Sequence, residues 1–331
     1  MNIFILTITF FIFFNIIIFI FSEKLIKIFN TYDDPDSQRK FHKKRTSLLG
    51  GTIILINCLF FFIINLFFFK NTEYDYSFLS TFIIGSTFFY FLGLYDDKKN
   101  LNYNYKFFIE LIIIIFLIFI NKEIIIDKIY LDFFNYEINL GKFSYIFTIL
   151  CFLIFLNAFN MLDGINLQAG LYSLSIFIYL LILSDKHLLY FILIIALLPF
   201  LVLNYKSRVF LGDNGTLLLG FVISYLVIMT AKETNYLILT ADKILVLMML
   251  PGLELIRLFI IRLRLKRHPF SPDRMHIHHI FIKKYGIKKT IIYIQLLSVI
   301  PIILMNFITN YTFLIILLNT LTYIYLTLDE K

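Results

Sequence analysis

Long uncharged apolar runs leave this chain almost no choice of solvent. Ile3–Phe21 and Ile112–Ile120 carry no charged side chain, and a membrane-spanning helix takes about 20 such residues in succession. Within 331 residues there is room for about ten or eleven spans. They are expected near residues 2–22, 50–69, 78–95, 106–121, 143–161, 168–184, 187–204, 214–231, 241–262, 290–307 and 311–328. The fold class that follows is an all-α polytopic membrane protein, one integral unit over residues 1–331. Only Ile124–Gly141 alternates weakly, which predicts a short extracytoplasmic hairpin.

Composition narrows the class. The chain is 60% hydrophobic with a mean hydropathy of +0.85. A net charge of +8 could suit nucleic acid, but the basic residues flank apolar runs, so membrane topology accounts for them and no nucleic-acid partner is expected. Met1–Phe21 lacks a basic leader and a small-residue cleavage site, and reads as a first transmembrane helix. Trp is absent, and the 21 Tyr can supply the interfacial belt. Cys58 and Cys151 both lie in apolar runs, as buried thiols with no disulfide or metal-ligand spacing.

Five polar clusters interrupt the apolar sequence: Asp34–Gly51, Asp96–Lys106, Asn157–Gly170, Asn204–Gly215 and His268–His279. Parity of the spans puts all five on one face. The loops on that side hold 21 Lys and Arg, and those on the other side hold 7. Positively charged loops stay in the cytoplasm, so the N-terminus is expected outside and the clusters inside.

Each cluster offers chemistry. Asp96-Asp97 ends the third span, where adjacent carboxylates need water, a cation or a substrate; Lys106 can meet a phosphate as a point charge. Asn157, Asn160 and Asp163 recur every three residues and share a helical face. Their oxygens suit a hard cation such as Mg²⁺, or glue between helices. Asp213 lies between Gly212 and Gly215 at a helix start, as a cap, a metal ligand or both. Arg274, His276, His278 and His279, with Asp273, crowd one loop of a chain with 6 His. Arg there suits bidentate phosphate binding, and His alone would suit a transition metal. Arg39-Lys40-Phe41-His42 in the first loop could equally serve topology or anionic lipid.

Taken in order, these clusters resemble the polyprenyl-phosphate N-acetylhexosamine-1-phosphate transferases of glycosyltransferase family 4. The matching patterns are Arg39–His42 with Gly50-Gly51, Gly93–Lys106, Asn157–Gly164, Gly212–Gly215 and Pro269–His279, over about residues 34–280. The Pro269–His279 loop resembles the branch using UDP-N-acetylglucosamine or related amino sugars. Four features depart from the family pattern. Ser47 stands at a usual Pro, Pro35 lies one residue further from Arg39, Glu110 replaces a common Gln, and Asn166 replaces a frequent Asp.

The resemblance implies transfer of a sugar-1-phosphate, GlcNAc-1-phosphate or a related HexNAc-1-phosphate, from a UDP-sugar to polyprenyl (undecaprenyl) phosphate. UMP leaves, and synthesis of a lipid-linked glycan such as O-antigen, capsule or teichoic acid begins. It implies Mg²⁺, with Mn²⁺ as the alternative, held by Asn160 and Asp213. Asp96, Asp97 and Asp163 are the catalytic residues it implies. Lys106, Asn157, Asn166, Arg274, His276, His278 and His279 are the substrate contacts. It also implies the inner (cytoplasmic) membrane, an active site facing the cytoplasm, and a homodimer as a family trait. The alternative within the family is the phospho-MurNAc-pentapeptide transferase. A transporter or flippase would instead place polar residues near the midplane on broken helices, and the mid-span polar groups noted, Asn57, Asn65 and Ser224, form no charged path.

Overall fold

The computed structural model describes residues 3–35, 44–68, 74–268, 273–308 and 311–328. Arg39–His42, and Pro269–Pro272 of the His-rich loop, lie outside the described residues. Thirteen α-helices carry the described chain. They are α1 (Ile3–Ile20), α2 (Ser22–Phe29), α3 (Gly50–Phe68), α4 (Tyr76–Lys99), α5 (Tyr103–Ile120), α6 (Ser144–Leu162), α7 (Gln168–Leu183), α8 (His187–Tyr205), α9 (Gly212–Glu233), α10 (Ala241–Arg264), α11 (Ile277–Tyr285), α12 (Ile287–Phe307) and α13 (Thr312–Thr327). Backbone groups inside a bilayer must be satisfied within their own segment, and helices do this.

Among the described residues, nine helices are long and apolar enough to cross a membrane: α1, α3, α4, α5, α6, α8, α9, α10 and α12. The apolar α7 and α13 are shorter, with 16 residues each. Together they match the eleven expected runs, and the chain is an all-α multi-pass membrane protein. The core is built around α9, whose apolar window is 94% buried, whereas that of α1 is 22% buried. α3, α4, α6 and α7 all pack against α9.

The weakly alternating segment forms the expected hairpin. β3 (Lys128–Leu131) pairs antiparallel with β4 (Tyr136–Asn139), after β1 (Tyr32–Asp33) pairs with β2 (Thr46–Ser47) nearer the N-terminus. Asn135 turns the hairpin with a φ of 45°, a region that Asn tolerates better than most residues. Sequence reading did not anticipate β1, β2 or the short helices α2 and α11. The two strands, of two residues each, are too brief to give a periodic signal, whereas α2 is amphipathic and its signal was there to be read.

Parity holds in three dimensions. Phe210 N–H donates to Ser47 O (2.8 Å) and Gly50 N–H to Phe210 O (3.1 Å). Asn166 meets Ser207 (2.7 Å), and Tyr103 stacks on His268 (3.9 Å between ring centres). With the Asp213 N–H bond to Asp97 Oδ1 (2.9 Å), these contacts tie the five polar clusters together at one end of the bundle. The other end has its own ion pairs, Lys186–Glu233 (3.1 Å), Lys232–Asp127 (3.8 Å) and Lys243–Asp132 (3.9 Å).

Candidate active site

The site is assembled where the C-terminal end of α4 meets the first turn of α9. Gly93 allows this approach. A Cβ at Gly93 would lie 2.2 Å from Asp213 O and 2.4 Å from Asp213 C, so only hydrogen fits between the two backbones.

One helical turn on, Asp97 caps α9. Its Oδ1 accepts from Asp213 N–H (2.9 Å), and its Oδ2 accepts from Asn214 N–H (3.0 Å) and Asn214 Nδ2 (2.6 Å). The first N–H groups of a helix lack internal partners and carry positive partial charge, and a carboxylate satisfies both needs.

Asp96 points elsewhere, because consecutive helical residues are about 100° apart. It is buried; Oδ1 accepts from Leu101 N–H (2.7 Å) and Oδ2 pairs with Lys106 (2.8 Å). Lys106 also reaches Asp213 Oδ1 (3.2 Å), so its ammonium bridges two of the acids. Breaking a nearly buried ion network leaves charges unpaired and costs about 3–5 kcal/mol. Lys106→Met should therefore lower stability by about that amount, and denaturation of the detergent-solubilised protein would measure it. An unchanged midpoint would contradict the bridging role.

Asp163 closes α6. Burial, then the carboxylates of Asp213 and Asp97, push its carboxyl up to about 7. Four acids, Asp96, Asp97, Asp163 and Asp213, thus share one neighbourhood against a single lysine bridge. Asn160 Oδ1 accepts from Thr216 Oγ1 (2.7 Å), which brings α6 to α9. Asn157 gives both amide hydrogens away, to Glu110 Oε2 (2.8 Å) and Leu153 O (2.9 Å). Any ligand contact from Asn157 falls to its carbonyl oxygen. Glu110 is fully buried at this contact.

The His-rich loop reaches the acids through the turn after α6. A Cβ at Gly164 would lie 1.8 Å from His278 Cε1, so the imidazole packs directly against that turn, one residue from Asp163. His276, His278 and His279 cluster, with ring centres 5.3 Å apart for His276–His278 and 4.5 Å for His278–His279. Burial is the first cause that holds all three below the usual histidine range, His278 furthest; the neighbouring imidazoles and arginines add to it, while Glu254 opposes it at His276. They are neutral at pH 7, so the exposed Arg274 is the loop's fixed cation beside them.

A histidine with a lowered folded pKa binds protons more readily once unfolded. Its stabilisation is complete above about 6.5 and is lost as pH falls from there towards the folded value. The raised Asp163 carboxyl contributes in the opposite sense over the same range, so the histidine contribution is read as a difference: between pH 7.5 and 5.5 the melting temperature of wild type should fall relative to that of His278→Gln. The same pH dependence in wild type and His278→Gln would refute the neutral, buried state of His278.

Sequence reading missed the residues that hold the loop. Glu254, Arg257 and Arg262 lie in α10, inside an expected span, so the mid-span polar groups were undercounted. The signal was available: charges within a span are costly unless paired. Asn214 was likewise passed over. It is fully buried, and its amide ties Asp97 to Leu48 O (3.1 Å).

Comparison with known proteins fits this geometry. Residues 79–231 match the glycosyl transferase family 4 profile. An undecaprenyl-phosphate alpha-N-acetylglucosaminyl 1-phosphate transferase of Salmonella typhi is 30% identical over 287 residues, covering 83% of this chain and 75% of that protein. The chain belongs to glycosyl transferase family 4. Like-named proteins of Escherichia coli K12 (27% identical, 82% of this chain and 74% of that protein) and Yersinia pestis (26%, 80% and 73%) are also similar. The family match contains Asp96, Asp97, Lys106, Asn157, Asn160, Asp163, Asn166 and Asp213, and ends before the His-rich loop begins.

Proposed function

We propose that this family 4 protein transfers a sugar-1-phosphate, GlcNAc-1-phosphate or a close HexNAc relative, from a UDP-sugar to undecaprenyl phosphate, releasing UMP. The observation that carries the reading is the convergence of Lys106, Asp213, Asp163 and the His-rich loop at one end of the bundle. That arrangement sets cationic and neutral donors beside acids that can hold a cation, as a reaction between two anionic substrates requires. The relatives' names agree with it. With the basic loops on the same side, the site faces the cytoplasm of the inner membrane.

A phosphate monoester has its second pKa near 6, so the lipid phosphate is already an anionic nucleophile at pH 7. Its oxygen attacks the sugar-bearing phosphorus. The bond to the UMP oxygen breaks, and UMP leaves with that electron pair. Lys106 attracts the incoming lipid phosphate at the membrane edge. Asp97 holds the α9 N-terminus, whose dipole also favours phosphate. Asp96 keeps Lys106 in place, and Arg274 with the neutral His276, His278 and His279 contacts the nucleotide-sugar. Asn166 lies against Ser207 on the neighbouring loop, where it can reach the same ligand.

The donor set fits Mg²⁺. Asp213, Asp163 and Asn160 offer only oxygen, and among the described residues no three acidic or imidazole groups form a closed metal cage. Mg²⁺ commonly binds through one or two carboxylates plus substrate phosphates, and when bound it would neutralise the pyrophosphate. Chelation by EDTA should stop turnover and added Mg²⁺ restore it; turnover in EDTA would refute the metal requirement.

The deciding experiment offers the purified protein UDP-GlcNAc, other UDP-HexNAc donors and UDP-MurNAc-pentapeptide, with undecaprenyl phosphate and radiolabel followed into lipid. Label from a UDP-HexNAc supports the proposal. Label only from the pentapeptide donor assigns the peptidoglycan branch, and label from none refutes transfer.

A further inference from the structure

Two buried clamps hold the His-rich loop, and both start from α10. Arg262 pairs with Asp273 (2.7 Å), with both side chains almost wholly buried. One to two turns earlier in the same helix, Arg257 and Glu254 grip the next stretch. Arg257 Nη2 donates to Met275 O (2.6 Å), and Glu254 Oε1 accepts from Ile277 N–H (2.9 Å), at the first turn of α11. Arg257 also pairs with both oxygens of Glu254 (3.0 Å each).

The third member comes from α13. The Tyr323 hydroxyl donates to Glu254 Oε2 and accepts from Arg257 Nε (2.9 Å). Tyr323 is buried, as is Glu254. The hydroxyl therefore completes a ring of charge-assisted bonds, which are stronger than neutral ones. Its placement in α13 lies far beyond the family match at residues 79–231.

We propose that Tyr323, through Glu254 and Arg257, is a positioning residue that sets the affinity for the nucleotide-sugar donor. The ring fixes the backbone at Met275 and Ile277, on either side of His276 and next to Arg274. It touches neither α4 nor α5, so it leaves Lys106 and Asp97 where they are. Loosening it should spread the loop over several positions and weaken the donor alone, since only that substrate uses the loop. This inference rests on the proposed transferase activity.

The test is steady-state kinetics of Tyr323→Phe, with UDP-GlcNAc and undecaprenyl phosphate varied separately. The wild-type protein assayed in parallel tests the activity itself: no turnover there refutes the proposed function, not the clamp alone. Tyr323→Phe keeps the ring and its packing but removes both hydrogen bonds. Losing a buried hydrogen bond to a charged group corresponds to roughly ten- to a hundredfold in binding. The donor KM should rise by at least about tenfold, with the lipid KM and kcat within about twofold. An unchanged donor KM, or equal rises in both KM values, overturns the proposal. Arg257→Lys gives an independent variant: it keeps the charge and loses the two-pronged grip. It should raise the donor KM in the same selective way. If either variant is too unstable to assay, the other decides, and loss of fold in both would mark the ring as structural and overturn the positioning role.

Discussion

Replacing Asp213 by asparagine should cut UMP release from undecaprenyl phosphate and the UDP-sugar by on the order of 10²–10³-fold or more. Asp213 lies at the meeting point of the site. Its backbone N–H is held by Asp97, its carboxylate meets Lys106 (3.2 Å), and its charge helps to raise Asp163. Asparagine preserves size and the backbone contact but removes the charge that a cation and Lys106 both use. The fold should survive, because Lys106 keeps its partner Asp96 (2.8 Å). Glu137→Gln, at the hairpin on the opposite end, should leave the rate unchanged. Wild-type turnover in Asp213→Asn would remove this residue from the mechanism. The same substitution should let Asp163 titrate closer to an ordinary carboxylate, because one of the charges that raises it is gone.

Gly93→Ala should be nearly as damaging, although Gly93 touches no substrate. A methyl group at this position would run into the Asp213 backbone at 2.2 Å. A backbone has no rotamer to yield, so α4 and α9 must part. Overpacking of this kind costs about 1–3 kcal/mol. The larger effect is catalytic: Asp97 follows one turn later and would lose registry with Asp213 N–H and Asn214 N–H. Misplacement by about 1 Å can cost about 10²-fold in rate. Gly252→Ala is the comparison, since a Cβ there meets nothing within 4 Å. It lies within α10 and should be neutral or stabilising by up to about 1 kcal/mol, because alanine favours helix over glycine. Equal activity and melting temperature for Gly93→Ala and wild type would show that the α4–α9 approach tolerates a gap.

The expected spans survived with small shifts for a physical reason. Hydrophobic runs of membrane length leave little conformational freedom. The shifts themselves matter for the site. α4 runs on to Lys99 and α5 starts at Tyr103, so Asp96, Asp97 and Lys106 sit on rigid helices and not on a loose loop. Their helical geometry then decides which acid faces α9.

Sequence alone determined the membrane class, the approximate spans, the gathering of five polar clusters at one end and the family resemblance. All of these follow from local hydropathy, parity and motif order. Only the tertiary structure divided the work between Asp96 and Asp97. They are neighbours in sequence but diverge by about 100° on the helix. One therefore meets Lys106 on α5, and the other meets the start of α9, 116 residues away. The same holds for Tyr323, whose partners Glu254 and Arg257 are 69 and 66 residues distant. Which buried charges satisfy one another depends on how helices pack, and no local pattern along the chain records that choice.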